Sequence, residues 1–236
     1  MHYSGTAATQ QAAVASRDSG LLRYIARVYV LMGLGMAISG LVAFFASQSA
    51  YLMVTIFSSR VLAMAVMFAP FVLVIALNAF INRMSKSAAI GAFLLLTAGM
   101  GLSLSSIFLV FTGASIASTF GVSAGLFASM GVYGYFTKRD LTSFGSFLLM
   151  GVLGLVIAGI VNLFMQNSML MLAFSAIGVL LFTGLTAYDT QQIRLAYSRC
   201  KSEGDVLKTA VLGALRLYIT FINLFLSLLR LFGSRK

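Results

Sequence analysis

Charge is so scarce in this chain that two apolar runs interrupted by it draw attention first. Asp189 sits in LTAYDTQQI, residues 185–193, where a long apolar run gives way, and Arg216 lies inside the last apolar run. Arg216, Thr220, Asn223 and Ser227 follow at i, i+4, i+7 and i+11, which is one face of a helix. Thr183, Thr186 and Thr190 share a second face with Asp189 at its edge, and Thr97, Gly101 and Ser105 recur at fourfold spacing. Polar side chains at membrane depth are costly and mark function. For a lone Ser or Thr, a hydrogen bond between helices, worth about 0.5–2 kcal/mol, is explanation enough. Asp189 and Arg216 ask for more. If their helices run in opposite directions, the long arginine reaches the carboxylate and the ion pair closes a polar path. Protonating Asp189 weakens that pair, so the two residues form a candidate pH-dependent latch.

Other chemistry finds little support. Gly121-Val122-Ser123-Ala124-Gly125 matches GxSxG, but a nucleophile elbow needs a strand-to-helix turn and a histidine base. This run lies within a long apolar stretch, and the one histidine is His2. The lack of histidines argues equally against an intramembrane metalloprotease. Cys200 is the single cysteine, so neither an intrachain disulfide nor a CxxC metal site is available. No enzyme activity and no resident cofactor are expected.

The elements that must position Asp189 and Arg216 follow from composition. The chain has 236 residues, 60% of them hydrophobic and 9% charged, with a mean hydropathy of +1.00. Soluble domains carry about 25% charged residues, so this chain belongs in a lipid bilayer. Its net charge of +11 lies in short loops rather than in a basic stripe interleaved with aromatics, which excludes a nucleic-acid partner.

Apolar runs at 24–46, 61–82, 88–111, 115–136, 141–164, 168–188 and 209–229 predict seven transmembrane helices. Residues 1–20 are small and polar, lack a signal peptide's apolar region, and read as a flexible tail. Residues 21–236 form a single domain. Pro70 lies inside the second span, where it predicts a kink, and small residues such as Gly35 with Ser39, Gly121 with Gly125, and Gly154 with Ala158 predict close helix contacts.

Lys and Arg cluster in alternate connections. Arg17, Arg23 and Arg27 precede the first span; Arg83 and Lys86, Lys138 and Arg139, and Arg194, Arg199, Lys201 and Lys208 occupy the second, fourth and sixth connections. The first connection has Arg60 alone, and the third and fifth have none. A cytoplasmic N-terminus follows. Seven spans then put Arg230, Arg235 and Lys236 on the opposite side, against the same rule. A re-entrant last helix would avoid this, but a full span is the simpler expectation.

The runs SSIFLVFTGASIASTF, GVYGYFTKRDLTSFGSFLLMG, GLTAYDTQQI and GALRLYITFINLFLSLLRLFG resemble the Bax inhibitor-1 family, also called the transmembrane BAX inhibitor motif family, in its bacterial branch. The resemblance covers the chain from the first helix to about Gly233. It implies an all-α membrane protein whose last helix is central, surrounded by the other six. In several relatives it implies a pH-sensitive calcium leak, in which aspartates on the last two helices share a proton. The first of them matches Asp189. The second stands where this chain has Thr220, and Arg216 one turn earlier replaces a residue that relatives usually keep uncharged. The family's basic residue late in the second helix aligns with Phe80, with Arg83 a turn further on.

These departures remove one negative charge and add a positive one. Calcium prefers several oxygen ligands, carboxylates among them, so Asp189 is a weak calcium ligand and Thr220, Asn223 and Thr186 line the path with neutral oxygens. Two functions are therefore expected. The first is a pH-sensitive calcium or cation leak of the bacterial inner membrane, gated near Asp189 and holding calcium only in transit. The alternative is a non-transporting protein that modulates a membrane-bound quality-control protease of the AAA type, engaged through its flexible N-terminal tail.

Overall fold

The computed structural model describes the backbone of residues 4–200 and 202–236, and their side chains apart from residues 4–18 and 163. The helices are α1 (Ser4–Gln48), α2 (Ala50–Ser58), α3 (Arg60–Phe80), α4 (Lys86–Leu104), α5 (Ile107–Val110), α6 (Gly113–Phe136), α7 (Thr142–Met165), α8 (Ser168–Tyr197) and α9 (Glu203–Phe232). A single 3₁₀ turn, Ile81–Arg83, follows α3. Seven of these stretches are long and apolar enough to cross a membrane, as the sequence predicts. Most of the stretch read as a tail, residues 1–20, lies outside the described side chains; the backbone of α1 begins at Ser4.

Local chemistry sets the helix starts. Ser49, Ser59, Ser85, Thr112, Asn167 and Ser202 each accept a backbone N–H of the helix they precede, satisfying a donor that would otherwise face hydrocarbon or the headgroups. α7 begins instead on Asp140, whose Oδ1 accepts the Thr142 N–H at 2.9 Å. The hydroxyl and N–H of Thr142 hold this carboxyl below its ordinary value. α3 runs through Pro70 as one unbroken helix.

α9 is the central helix. Leu217, Tyr218, Phe221, Leu224 and Leu229 on it are almost wholly buried, packed against α1, α4, α6 and α8. α3 lies outside α4 and α7 outside α8, so the surround is layered rather than a ring of six equal contacts. Edge-to-face pairs of Phe221 with Phe120 at 5.3 Å and with Phe127 at 5.4 Å fix α6 on α9.

α9 crosses the whole bundle. Near its start Lys208 Nζ donates to the Asn82 carbonyl at 3.0 Å, in the connection between α3 and α4. Beyond its end the chain pairs with the connection between α5 and α6. Thr112 N–H donates to Ser234 O at 3.1 Å and Lys236 N–H to Val110 O at 3.0 Å, flanking an antiparallel bridge between Phe111 and Arg235. Ser234 N–H donates to Ser115 Oγ at 2.9 Å. A re-entrant helix would have ended beside Asn82; thirty residues at about 1.5 Å each carry α9 to the opposite end.

Tracing the chain also sorts its charges. Asp140, Glu203 and Asp205 lie at the end where α9 begins and Asp189 lies near mid-height, bonded to Thr220, whereas Arg60, Arg230, Arg235 and Lys236 lie at the end where α9 finishes. No carboxylate side chain accompanies those four cations among the described residues.

Small residues prove selective. A Cβ on Gly101 would lie 2.6 Å from Ser39 O, and one on Gly35 would lie 2.8 Å from Thr97 Cγ2, so α1 and α4 meet through these positions as expected. Gly121, Gly125 and Gly154 have nothing within 4 Å of an added Cβ and mediate no close helix contact, a correction to the sequence expectation. Composition reveals which residues are small, not which way they face.

Candidate functional site

The site forms where α8 and α9 pass each other. Asp189, 22 residues into the chain's sixth span by position, is only 4% exposed. Thr220 Oγ1 donates to Asp189 Oδ2 at 2.7 Å, the ordinary length of a hydroxyl hydrogen bond. Arg216 Nε lies 3.8 Å from Oδ1, within ion-pair range and too long for a hydrogen bond. The arginine side chain is 53% exposed and that of Asp189 only 6%. The carboxylate is thus sealed in while its cationic partner still faces outward.

The structure brings together Asp189, Arg216 and Thr220 as their spacing implies, with Thr220 the closer partner. Thr186 and Asn223 behave differently. Thr186 Oγ1 donates to Phe182 O at 2.8 Å and Asn223 Nδ2 to Ile219 O at 2.9 Å, each on its own helix. Neither of these hydrogen bonds reaches the carboxylate. Thr183 Oγ1, on the same helix as Asp189, is buried without a hydrogen-bond partner.

A clamp holds α8 in place beside Asp189. Gln191 is 3% exposed; its Oε1 accepts Leu141 N–H at 2.9 Å and its Nε2 donates to Arg139 O at 2.7 Å, pinning the α6–α7 connection. Arg194 Nη1 donates to Tyr135 O. Gly134 lies so close to the Ala187 backbone that no Cβ would fit between α6 and α8. On the other side Thr190 Oγ1 lies 3.4 Å from Tyr29 OH on α1.

About half a turn before Thr220 on α9, Tyr218 OH and Ser39 Oγ meet at 2.6 Å, and Ser39 Oγ also contacts Thr97 O at 2.7 Å and Gly35 O at 2.9 Å. This knot ties α1, α4 and α9 together two residues before Thr220. Sequence reasoning missed both Gln191 and Tyr218. Gln191 stands inside the YDTQQI motif two places after Asp189, and Tyr218 inside LYITF two places before Thr220. Their positions were a signal; their partners lie in distant segments.

The donor set does not suit a resident calcium ion. One carboxylate is present, already engaged by a hydroxyl and a guanidinium, whereas calcium takes six to eight oxygens. Among the described residues no three His, Cys, Asp or Glu side chains gather. Ser123 of the GxSxG run is buried in the middle of α6 and donates to Thr119 O at 2.7 Å. The sharp strand-to-helix turn of a nucleophile elbow is not what surrounds it.

A bundle of seven apolar helices built around the last one, with a buried acid between the final two, defines a class of integral membrane proteins. The sequence comparisons agree. Residues 21–236 match the family described as "Inhibitor of apoptosis-promoting Bax1". The chain is 46% identical over 220 residues to the inner membrane protein YbhL of Escherichia coli K12, covering 92% of this chain and 94% of that one. It is 42% identical over 215 residues to an uncharacterised protein of Borreliella burgdorferi, covering 91% and 93%. The uncharacterised protein RP147 of Rickettsia prowazekii is 41% identical over 221 residues, covering 93% and 92%. The chain belongs to the Bax inhibitor-1 family.

Proposed function

We propose that this protein is a pH-responsive cation leak of the bacterial inner membrane, with its N-terminus cytoplasmic and its gate at Asp189. One observation carries the reading: a lone carboxylate, 4% exposed, is held between the Thr220 hydroxyl at 2.7 Å and the Arg216 guanidinium at 3.8 Å, on the helix pair that contains the bundle's axis. A buried acid with a partly exposed cationic partner is a two-position device. Ionised, it attracts Arg216 and draws α8 and α9 together; protonated, it loses that attraction. The leak therefore opens as pH falls. Calcium is cargo in this scheme, attracted in passing by Asp189 rather than bound. The relative named as an inner membrane protein supports the location, and the alternating distribution of Lys and Arg supports the orientation.

The test is calcium entry into dye-loaded proteoliposomes across a pH series, with Asp189→Asn and Thr220→Asp alongside the wild type. A leak that grows on acidification, and whose pH response Asp189→Asn removes, supports the reading. Thr220 in place of a second carboxylate, and Arg216 one turn before it, favour one other function, a non-transporting modulator of a membrane-bound protease. No flux in the wild type, with flux gained in Thr220→Asp, would select it.

A further inference from the structure

Toward the end where α9 finishes, an apolar crevice of about 80 Å³ opens between α1, α4–α5, α6 and α9. Its walls include Met36, Gly40, Phe108, Ile116, Phe120 and Phe225. Gly40 and Phe120 are exposed, and Gly40 lies eight residues from the end of α1, about 12 Å along a helix. The mouth of the crevice is therefore at a depth where hydrocarbon surrounds the protein. Such a cavity excludes water and accepts apolar chains.

Above it lies a cationic cap. Lys236 Nζ donates to the carbonyl of Phe108, itself a wall of the crevice, at 2.7 Å. Arg235 and Arg230 are exposed nearby on the same strap and helix end. No carboxylate side chain stands at this end among the described residues, and the α-carboxylate of Lys236 offsets only one of the four cations there, so net positive charge is available to a phosphate. An apolar slot below and an excess of cations above match one molecule in two parts.

We propose that this crevice is a binding site for an anionic phospholipid of the leaflet at the C-terminal end, with an acyl chain entering past Gly40 and the phosphate held by Arg235 and Lys236. The volume suits a short length of hydrocarbon, so the chain is gripped over part of its length while the rest stays in the bilayer. The floor of the crevice includes Ser39, whose hydroxyl meets Tyr218 OH. Occupancy is therefore felt on α9 within two residues of Thr220. The proposal stands independently of any ion leak.

The experiment uses the full chain in nanodiscs containing phosphatidylglycerol or phosphatidylcholine with a photoactivatable diazirine in one acyl chain, followed by peptide mapping of the label. The expected result is label on the segments carrying Phe108, Phe120 and Phe225, stronger from phosphatidylglycerol and competed by the unlabelled lipid. Gly40→Leu, which has space for its side chain because nothing lies within 4 Å of a Cβ there, fills the slot and cuts that label about fivefold or more. Arg235→Gln with Lys236→Gln leaves label but removes the preference for phosphatidylglycerol. Equal, uncompeted label from both lipids in the wild type overturns the proposal, and so does wild-type labelling in a folded Gly40→Leu protein. The competition experiment needs no variant, so a poorly folding variant leaves the proposal testable.

Discussion

Thr220 occupies the position at which the family resemblance calls for a second aspartate, and the structure gives the substitution a physical meaning. A hydroxyl donates to Asp189 where a second acid would compete with it for a proton. Thr220→Val removes that donor and leaves a buried carboxylate with Arg216 alone. Thermal unfolding in detergent should show a loss of about 1.5–3 kcal/mol, the usual worth of a hydrogen bond to a charged group. Arg216→Gln removes the attraction that ionisation of Asp189 creates. Its calcium flux near neutral pH should rise toward the acidic wild-type level, with a flatter pH profile. Wild-type flux and an unchanged profile in this variant would exclude the ion pair as the latch. Thr220→Asp sets two carboxyls within hydrogen-bond reach and should steepen the pH response, because like charges so close cannot both ionise.

At the scale of elements, the clamp on α8 makes a claim about motion. Gln191, Arg194 and the close Gly134–Ala187 contact bind α8 to α6 and the α6–α7 connection, whereas Asp189 binds it to α9 through two side-chain contacts. Releasing that clamp should loosen α8 from the α6–α7 connection. Gln191→Ala should speed amide exchange at Leu141, and Gly134→Val should cost at least about 1–3 kcal/mol by forcing α6 and α8 apart. Gly154→Val, with open space around it, should unfold within about 0.5 kcal/mol of the wild type. The seven helices and their order were legible in the sequence because hydrocarbon leaves a long apolar run no other backbone solution. The meeting of Asp189 with Arg216 was legible for a similar reason: few charged groups lay deep in the apolar runs. Gln191 and Tyr218 were not legible, since each acts on a carbonyl, an N–H or a hydroxyl more than forty positions away. Likewise Gly121 and Gly101 look alike in a string of letters and differ only in what lies opposite.

For the molecule as a whole, the passage of α9 from Asn82 to the Phe108–Ser115 region puts the first, third and fifth connections on the side of the C-terminus. Arg60 and Lys86 thus stand on opposite faces, and the distribution of Lys and Arg would make the Lys86 face the cytoplasmic one. In a Cys200→Ser background, Arg60→Cys should react with a membrane-impermeant maleimide in intact cells, and Lys86→Cys only after permeabilisation. Labelling of both from one side would refute the traced topology. The position of α9 in the chain has a further meaning for biosynthesis. The helix that fills the centre follows six other spans in the chain, and synthesis at about 5–20 residues per second leaves those six waiting for it. Until Glu203–Phe232 arrives, α1, α4, α6 and α8 have one another but lack the helix that their inward faces share. The strap of Ser234–Lys236 onto the α5–α6 connection can form only after α9 has been made. A chain cut short before Glu203 would present quality-control machinery with an assembly that has walls and no core.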